Sequence, residues 1–230
     1  MTTRAAPAAP PASSGFRGDI AVSPAQGHEG RLREDLATFT DWLRDYVSRP
    51  HRELRRRGAV CPFVPVALNA RTLNVRCHYG VSGADPDALR HLLADELTRF
   101  TRRRPQLALD SLAVLLPDLT GDGIAALDDA HARLKDVAVT GGAMIGQFHP
   151  ACDETSVRND GFRVSRSPLP LLAVRHMAVR DILFLHERPD WFAAYRERFG
   201  GQFAEGRVRE PLMLGLFALA ERRHLPRTEA

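Results

Sequence analysis

From about residue 31 onward, stretches whose apolar residues recur every three to four positions are interleaved with short stretches that alternate or stay apolar throughout. Leu32, Leu36, Phe39, Leu43, Tyr46 and Val47 share the helical spacing ahead of Pro50, which predicts a helix from about Arg31 to Val47. Pro62 and Pro65, set among apolar neighbours, predict extended, non-helical backbone that holds Cys61 on a stiff loop. Thr72 to Tyr79 alternates: Leu73, Val75 and Cys77 share one face, while Asn74, Arg76 and His78 share another that needs solvent or a ligand. Asp85-Pro86 opens a helix with an apolar stripe of Leu89, Leu92, Leu93, Leu97 and Phe100, and cationic Arg102-Arg103-Arg104 complements the dipole at its end.

Ser111 to Leu116 is apolar without interruption, as in a strand covered on both faces. Asp118, Thr120, Asp122 and Gly123 fall at calcium-loop spacing, but the twelfth position is Asp129, so a turn and cap before a helix through Ile124, Leu127, His131 and Leu134 is expected instead. Gly141-Gly142 ends that helix, and Ala143 to Phe148 reads as a strand delivering His149 at its C-terminal end. Phe162 to Arg166 is expected to be extended, and Leu171 to Val174 to be a strand. Helices follow at about Val179 to Leu185, at Pro189 to Phe199 with Gly200-Gly201 as a stop, and at Pro211 to Arg223. This order predicts an α/β or α+β fold: one sandwich-like domain over residues 31–225, with a mixed sheet of about four strands flanked by helices. Residues 1–30, rich in alanine, proline, glycine and serine, are expected to form a disordered tail.

Composition narrows the partners. The net charge of +4 rests on arginine, since Lys135 is the sole lysine; aromatics make up 7%, and no run interleaves basic residues with stacking rings, so nucleic acid is not an expected partner. No apolar run approaches the ~20 residues that cross a bilayer, and the first 14 residues lack the apolar core of a signal peptide, so a cytoplasmic protein without a membrane partner is expected. Cys61, Cys77 and Cys152 are too few and too widely spaced for a disulfide framework.

Chemistry concentrates between Gly146 and Pro170. His149 ends a strand, precedes a rigid proline and lies three residues before Cys152; it could be a general base, a metal or haem ligand, or a histidine satisfied by backbone. Cys61 could be a packed thiol, a nucleophile activated by His149 and Arg166, or a thiolate ligand to haem iron. A structural zinc would need Cys61, His78 or His176 to join His149 and Cys152 in space, without any C-x-x-C pair in support. Arg158, Arg163, Arg166 and Arg175 outnumber the acids around them and suit a carboxylate or phosphate, with His176 close by and Asn159 as an orienting group. No serine nucleophile elbow, Walker A loop, dinucleotide fingerprint or H-E-x-x-H is present.

Cys61-Pro62-Phe63, Phe148-His149-Pro150 and Arg166-Ser167-Pro168-Leu169-Pro170, in that order, resemble the shared pattern of uncharacterised bacterial domains of unknown function. Some of those domains carry CPF, FHP and an N-R-S-P-x-P-x-x-H-L-L-R-E segment. The likeness spans roughly residues 31–200; Ser165 replaces the asparagine, and the later histidine is displaced to His176. It implies a shared site without a named reaction. The resulting expectation is an enzyme acting on a small anionic metabolite. His149, Cys61 and Asn159 would be catalytic, Arg163, Arg166, Arg158, Arg175 and His176 would bind substrate, and Cys61 and His149 would be the ligands if haem is the cofactor. A haem-dependent oxidation is slightly preferred to cofactor-free thiol or acid–base chemistry, with a non-catalytic anion- or partner-binding protein as the rival and the oligomeric state left open.

Overall fold

The computed structural model describes residues 21–23, 28–54, 57–102, 109–156 and 159–225, the first of these as backbone. Its centre is a mixed sheet in the order β1-β2-β3-β7-β4, formed by Ala21–Ser23 (β1), Leu73–His78 (β2), Ser111–Leu115 (β3), Ala143–Phe148 (β4) and Leu171–His176 (β7). β1, β2 and β3 pair in parallel, and β7 runs antiparallel between β3 and β4. The C-terminal ends of β2, β3 and β4 therefore lie along one rim, where β7 begins. Thr155–Ser156 (β5) and Asn159–Arg163 (β6) form a separate hairpin. The fold is α+β, with a mixed core of four strands extended by β1 at one edge.

The pleat sorts the core. Leu112, Val114, Ala143, Ile145, Leu172 and Val174 face one way and pack against Pro86–Arg102 (α3) and Asp122–Thr140 (α4) through Leu89, Leu93, Leu97, Leu127 and Leu134. Leu73, Val75, Cys77, Ala113, Leu115 and Leu171 face the other way, beneath Glu29–Trp42 (α1) and a π-helical turn at Leu43–Val47. The predicted first helix is thus α1 plus this wider turn. Past the sheet's end, Ile182–Leu185 (α5), Pro189–Ala204 (α6) and Pro211–His224 (α7) build their own apolar cluster around Phe192, Tyr195, Met213 and Phe217.

Several expectations are corrected. Phe63–Ala70 is a helix (α2), not extended chain. Pro62 caps it, and Pro65 sits in the first turn, where the absent N–H would have had no intrahelical partner. Gly200 and Gly201 do not stop α6, which runs on to Ala204 because Phe203 stacks on Phe217 with ring centroids 4.0 Å apart. That packing outweighs the roughly 1 kcal/mol that each interior glycine costs. α7 buries Met213, Phe217 and Ala220 and leaves Leu212 exposed. Arg166 does not continue β6; the chain turns at 164–165 and touches His149 through a single parallel bridge. Within the stretch expected to be a tail, Ala21–Ser23 pairs with β2 and α1 starts at Glu29.

Candidate functional site at the end of the edge strand

β4 is an edge strand, so its outer backbone groups need partners from elsewhere. α4 supplies them: Lys135 Nζ donates to the Ile145 carbonyl at 2.8 Å, and His131 Nε2 lies 3.4 Å from the same oxygen. One turn towards the start of α4, Asp128 Oδ1 stands 3.0 Å from His149 Nε2. Asp128, His131 and Lys135, at i, i+3 and i+7, form one polar stripe on the helix face towards β4.

His149 is 2% exposed. Its backbone carbonyl accepts N–H bonds from Cys152 at 3.1 Å and Ser167 at 3.3 Å, which fixes the turn after β4 and seats the Arg166–Pro170 segment beside it. Among the described residues its side chain makes one polar contact, to Asp128, and its Nδ1 is buried with no hydrogen-bond partner. Buried imidazole nitrogens are ordinarily paired, so an orphan at a strand end marks a position kept for something other than packing. Beside the pair is a shallow depression of about 360 Å³ lined by Asp128, Gln147, Cys152, Asp153, Glu154 and Thr155.

Burial shapes the titrations here. It pulls His131 down to about 4, with Lys135 adding to the effect, so His131 is neutral at pH 7. Burial, and then Arg175, lower Lys135 as well. The Cys152 thiol is pushed up by burial, so it is held protonated rather than poised as a nucleophile.

The arginines divide into two groups. Arg163 Nε and an Arg166 terminal nitrogen lie 3.2 and 3.6 Å from the same Asp153 oxygen, and Asp153 is a loop residue with 80% of its side chain exposed. Arg166 also donates to the Cys152 carbonyl at 3.3 Å. Two guanidiniums thus converge on one carboxylate at the margin of the depression. Arg175 belongs elsewhere: it makes a two-pronged bond to buried Asp181, at 2.7 and 2.6 Å, and lies 4.2 Å over the Phe63 ring. Two of its donors are therefore engaged by a carboxylate already inside the protein, and these contacts are structural. His176 packs on Phe100 on the α3 side, where burial lowers its pKa. Asn159 ties the β5–β6 hairpin to Glu53, donating to its carbonyl at 2.9 Å and its carboxylate at 3.3 Å, which leaves the catalytic assignment without support from its contacts. Arg158 lies outside the described residues.

Cys61 is half-buried at the margin of the cluster under α1, and its N–H donates to the Val47 carbonyl at the end of the π turn. Phe148 belongs to that same cluster, whereas His149, the next residue, reaches the opposite way to Asp128 on α4. No contact between described residues brings Cys61 to His149, so their pairing as nucleophile and base, or as joint ligands, is not supported. The segments meet through the end of α1 and the π turn instead. Trp42 packs edge-on to Phe148 at 5.7 Å and donates its indole N–H to the Arg166 carbonyl, while the Tyr46 hydroxyl donates to the Val164 carbonyl.

Periodicity placed His131 with the helix core and did not single out Asp128 or Lys135; the signal that would have found them is a polar i, i+3, i+7 stripe beside Leu127 and Leu134. The polar face of β2 turns inward to a charge cluster: Arg76, His78 and Arg99 surround buried Glu96 at 3.3, 3.2 and 3.7 Å, and Glu96 Oε2 has no hydrogen-bond partner among the described residues. Burial alone would raise the Glu96 carboxyl, but His78 and Arg76 outweigh it and hold it below the usual range. Among the described residues no group of three or more His, Cys, Asp or Glu is placed to hold a metal ion, and no helix is long and apolar enough to cross a membrane.

The chain belongs to a family known as a domain of unknown function (DUF6875), whose model matches residues 36–217. No curated protein and no solved structure matches it.

Proposed function

We propose that this member of a domain family of unknown function is a small-molecule enzyme whose acid–base pair is His149 and Asp128. The carrying observation is the buried imidazole with one nitrogen held by a carboxylate and the other unshared. Asp128, 45% exposed at its side chain, is the member that lines the depression; His149 stands behind it, fixes its orientation and shares its proton. Arg163 and Arg166 then bind the ligand's carboxylate or phosphate. Asp153 pairs with both guanidiniums, and the anion would displace a surface pair that is itself worth little. The three free thiols agree with a cytoplasmic setting, and the CPF, FHP and RSPLP segments agree with a site shared with similar bacterial domains.

One observation also favours the haem reading. An imidazole that gives one N–H to a carboxylate and keeps its second nitrogen free is arranged as metal-binding histidines are, and one such ligand suffices for haem. In that case His149, and not Cys61, would be the residue that holds the iron.

The test has two arms. Thermal-shift titration with phosphate, succinate and citrate should raise the melting midpoint for at least one of them, and an Arg163→Ala, Arg166→Ala double variant should abolish the shift; no shift with any of the three would refute the anion site. An absorbance spectrum after expression with haem supplied should show a Soret band that His149→Ala removes, and its absence from the wild-type protein would end the haem reading alone.

A further inference from the structure

From Pro211 to Ala220, α7 is apolar all the way round. It carries no charged residue there, yet only Met213, Phe217 and Ala220 of that span are buried. A helix with that composition is ordinarily enclosed on every side. Here Leu212 and Leu214 are 46% and 40% exposed, although they are large aliphatic residues on a well-formed element.

The side that the described residues leave uncovered has an internal order. Leu212, Gly215, Leu219 and Arg222 follow one another at spacings of three, four and three, the seam by which two helices pack lengthwise. Gly215 lies within the span, and a side chain built there would meet nothing within 4 Å, so its own chain does not require a glycine. Alongside, between α6 and α7, runs an open groove of about 620 Å³, whose lining includes Gly200, Gly201, Ala204, Leu214 and Ala218. Small residues on both walls leave room for an inserted aliphatic side chain, and the same surface presents one in Leu212.

We infer that this face joins a second copy of the chain in an antiparallel two-fold contact, α7 against α7, crossing near Gly215. A surface that offers both a protruding leucine and an adjacent apolar groove is self-complementary, as a two-fold contact requires. The charges select the direction. Arg222 and Arg223 end α7 and Glu210 precedes it. A parallel pair would set the arginines of one copy against those of the other, whereas the antiparallel pair carries them towards the partner's Glu210 and opposes the two helix dipoles.

Sedimentation analysis of the full chain at micromolar concentration tests this. The expected mass is twice that of the 25.5 kDa chain. Gly215→Arg is the informative variant, because it places a better helix former in open space within its own chain but at the crossing between copies. Its dissociation constant should rise by about a hundredfold, as for loss of a central interface contact, with helix content unchanged. Leu214→Glu should do the same from the groove side. A wild-type protein that sediments as a single chain would overturn the contact, and so would a Gly215→Arg protein that dimerises as tightly as wild type.

Discussion

Arg175 and Asp181 offer the sharpest test of how the site was partitioned. Asp181 is 1% exposed and accepts two guanidinium bonds from Arg175, at 2.7 and 2.6 Å, and the Ala178 N–H at 2.7 Å. Asp181→Ala removes the carboxylate and leaves a largely buried guanidinium whose remaining contacts among the described residues are the His176 carbonyl and the Phe63 ring. Stranding one member of a buried pair costs about 3–5 kcal/mol, whereas replacing both members by apolar groups of similar volume is often nearly neutral. In a chain of this size each kcal/mol moves the melting midpoint by about 2–4 °C, so Asp181→Ala should lower it by roughly 10 °C. Arg175→Met should cost a similar amount, because it strands the carboxylate instead. The Arg175→Met, Asp181→Leu double variant should recover most of the loss, giving a coupling of at least about 2 kcal/mol in a double-mutant cycle. Urea denaturation followed by circular dichroism measures all three. Additive losses, or an Asp181→Ala cost below about 1 kcal/mol, would show that Arg175 is not committed to Asp181 and would reopen its candidacy as a ligand group.

Two further outcomes follow from burial and from backbone geometry. His131 has a folded pKa near 4, below the ordinary value of 6.5, so the unfolded chain binds the extra proton first: its contribution is complete above about pH 6.5 and is lost as the pH falls towards 4. The loss amounts to at most about 3 kcal/mol, and His131→Gln should flatten that limb of the stability–pH curve; an unchanged limb would refute the assignment. Gly201→Ala should stabilise the protein by about 0.5–1 kcal/mol, since the added carbon meets Glu205 only at an ordinary 3.7 Å and the position is helical. A destabilised Gly201→Ala protein would instead indicate the helix stop expected from the glycine pair.

Much of the architecture was legible because hydrophobic period reports directly on which face of an element is buried. α3, β2, β3, β4 and α4 lie within a few residues of where Leu89 to Phe100, Leu73 to Cys77, Ser111 to Leu116, Ala143 to Phe148 and Leu127 to Leu134 placed them. The errors at Pro62–Pro65 and Gly200-Gly201 share one cause. Proline and glycine state what backbone they disfavour, but their cost is small at a helix start, or where an aromatic contact beyond them repays it.

By itself the sequence gathered the candidate residues between Gly146 and Pro170 and put His149 at a strand's C-terminal end, since a buried strand, a rigid proline and clustered arginines are all local signals. It could not choose partners. Only the tertiary structure turned His149 towards Asp128 instead of Cys61, bound Arg175 to Asp181, and set Arg163 and Arg166 together on Asp153. Pairing across separations of 6 to 21 residues depends on which face of the sheet each side chain leaves and on which helix packs there, and no local pattern of residues encodes that.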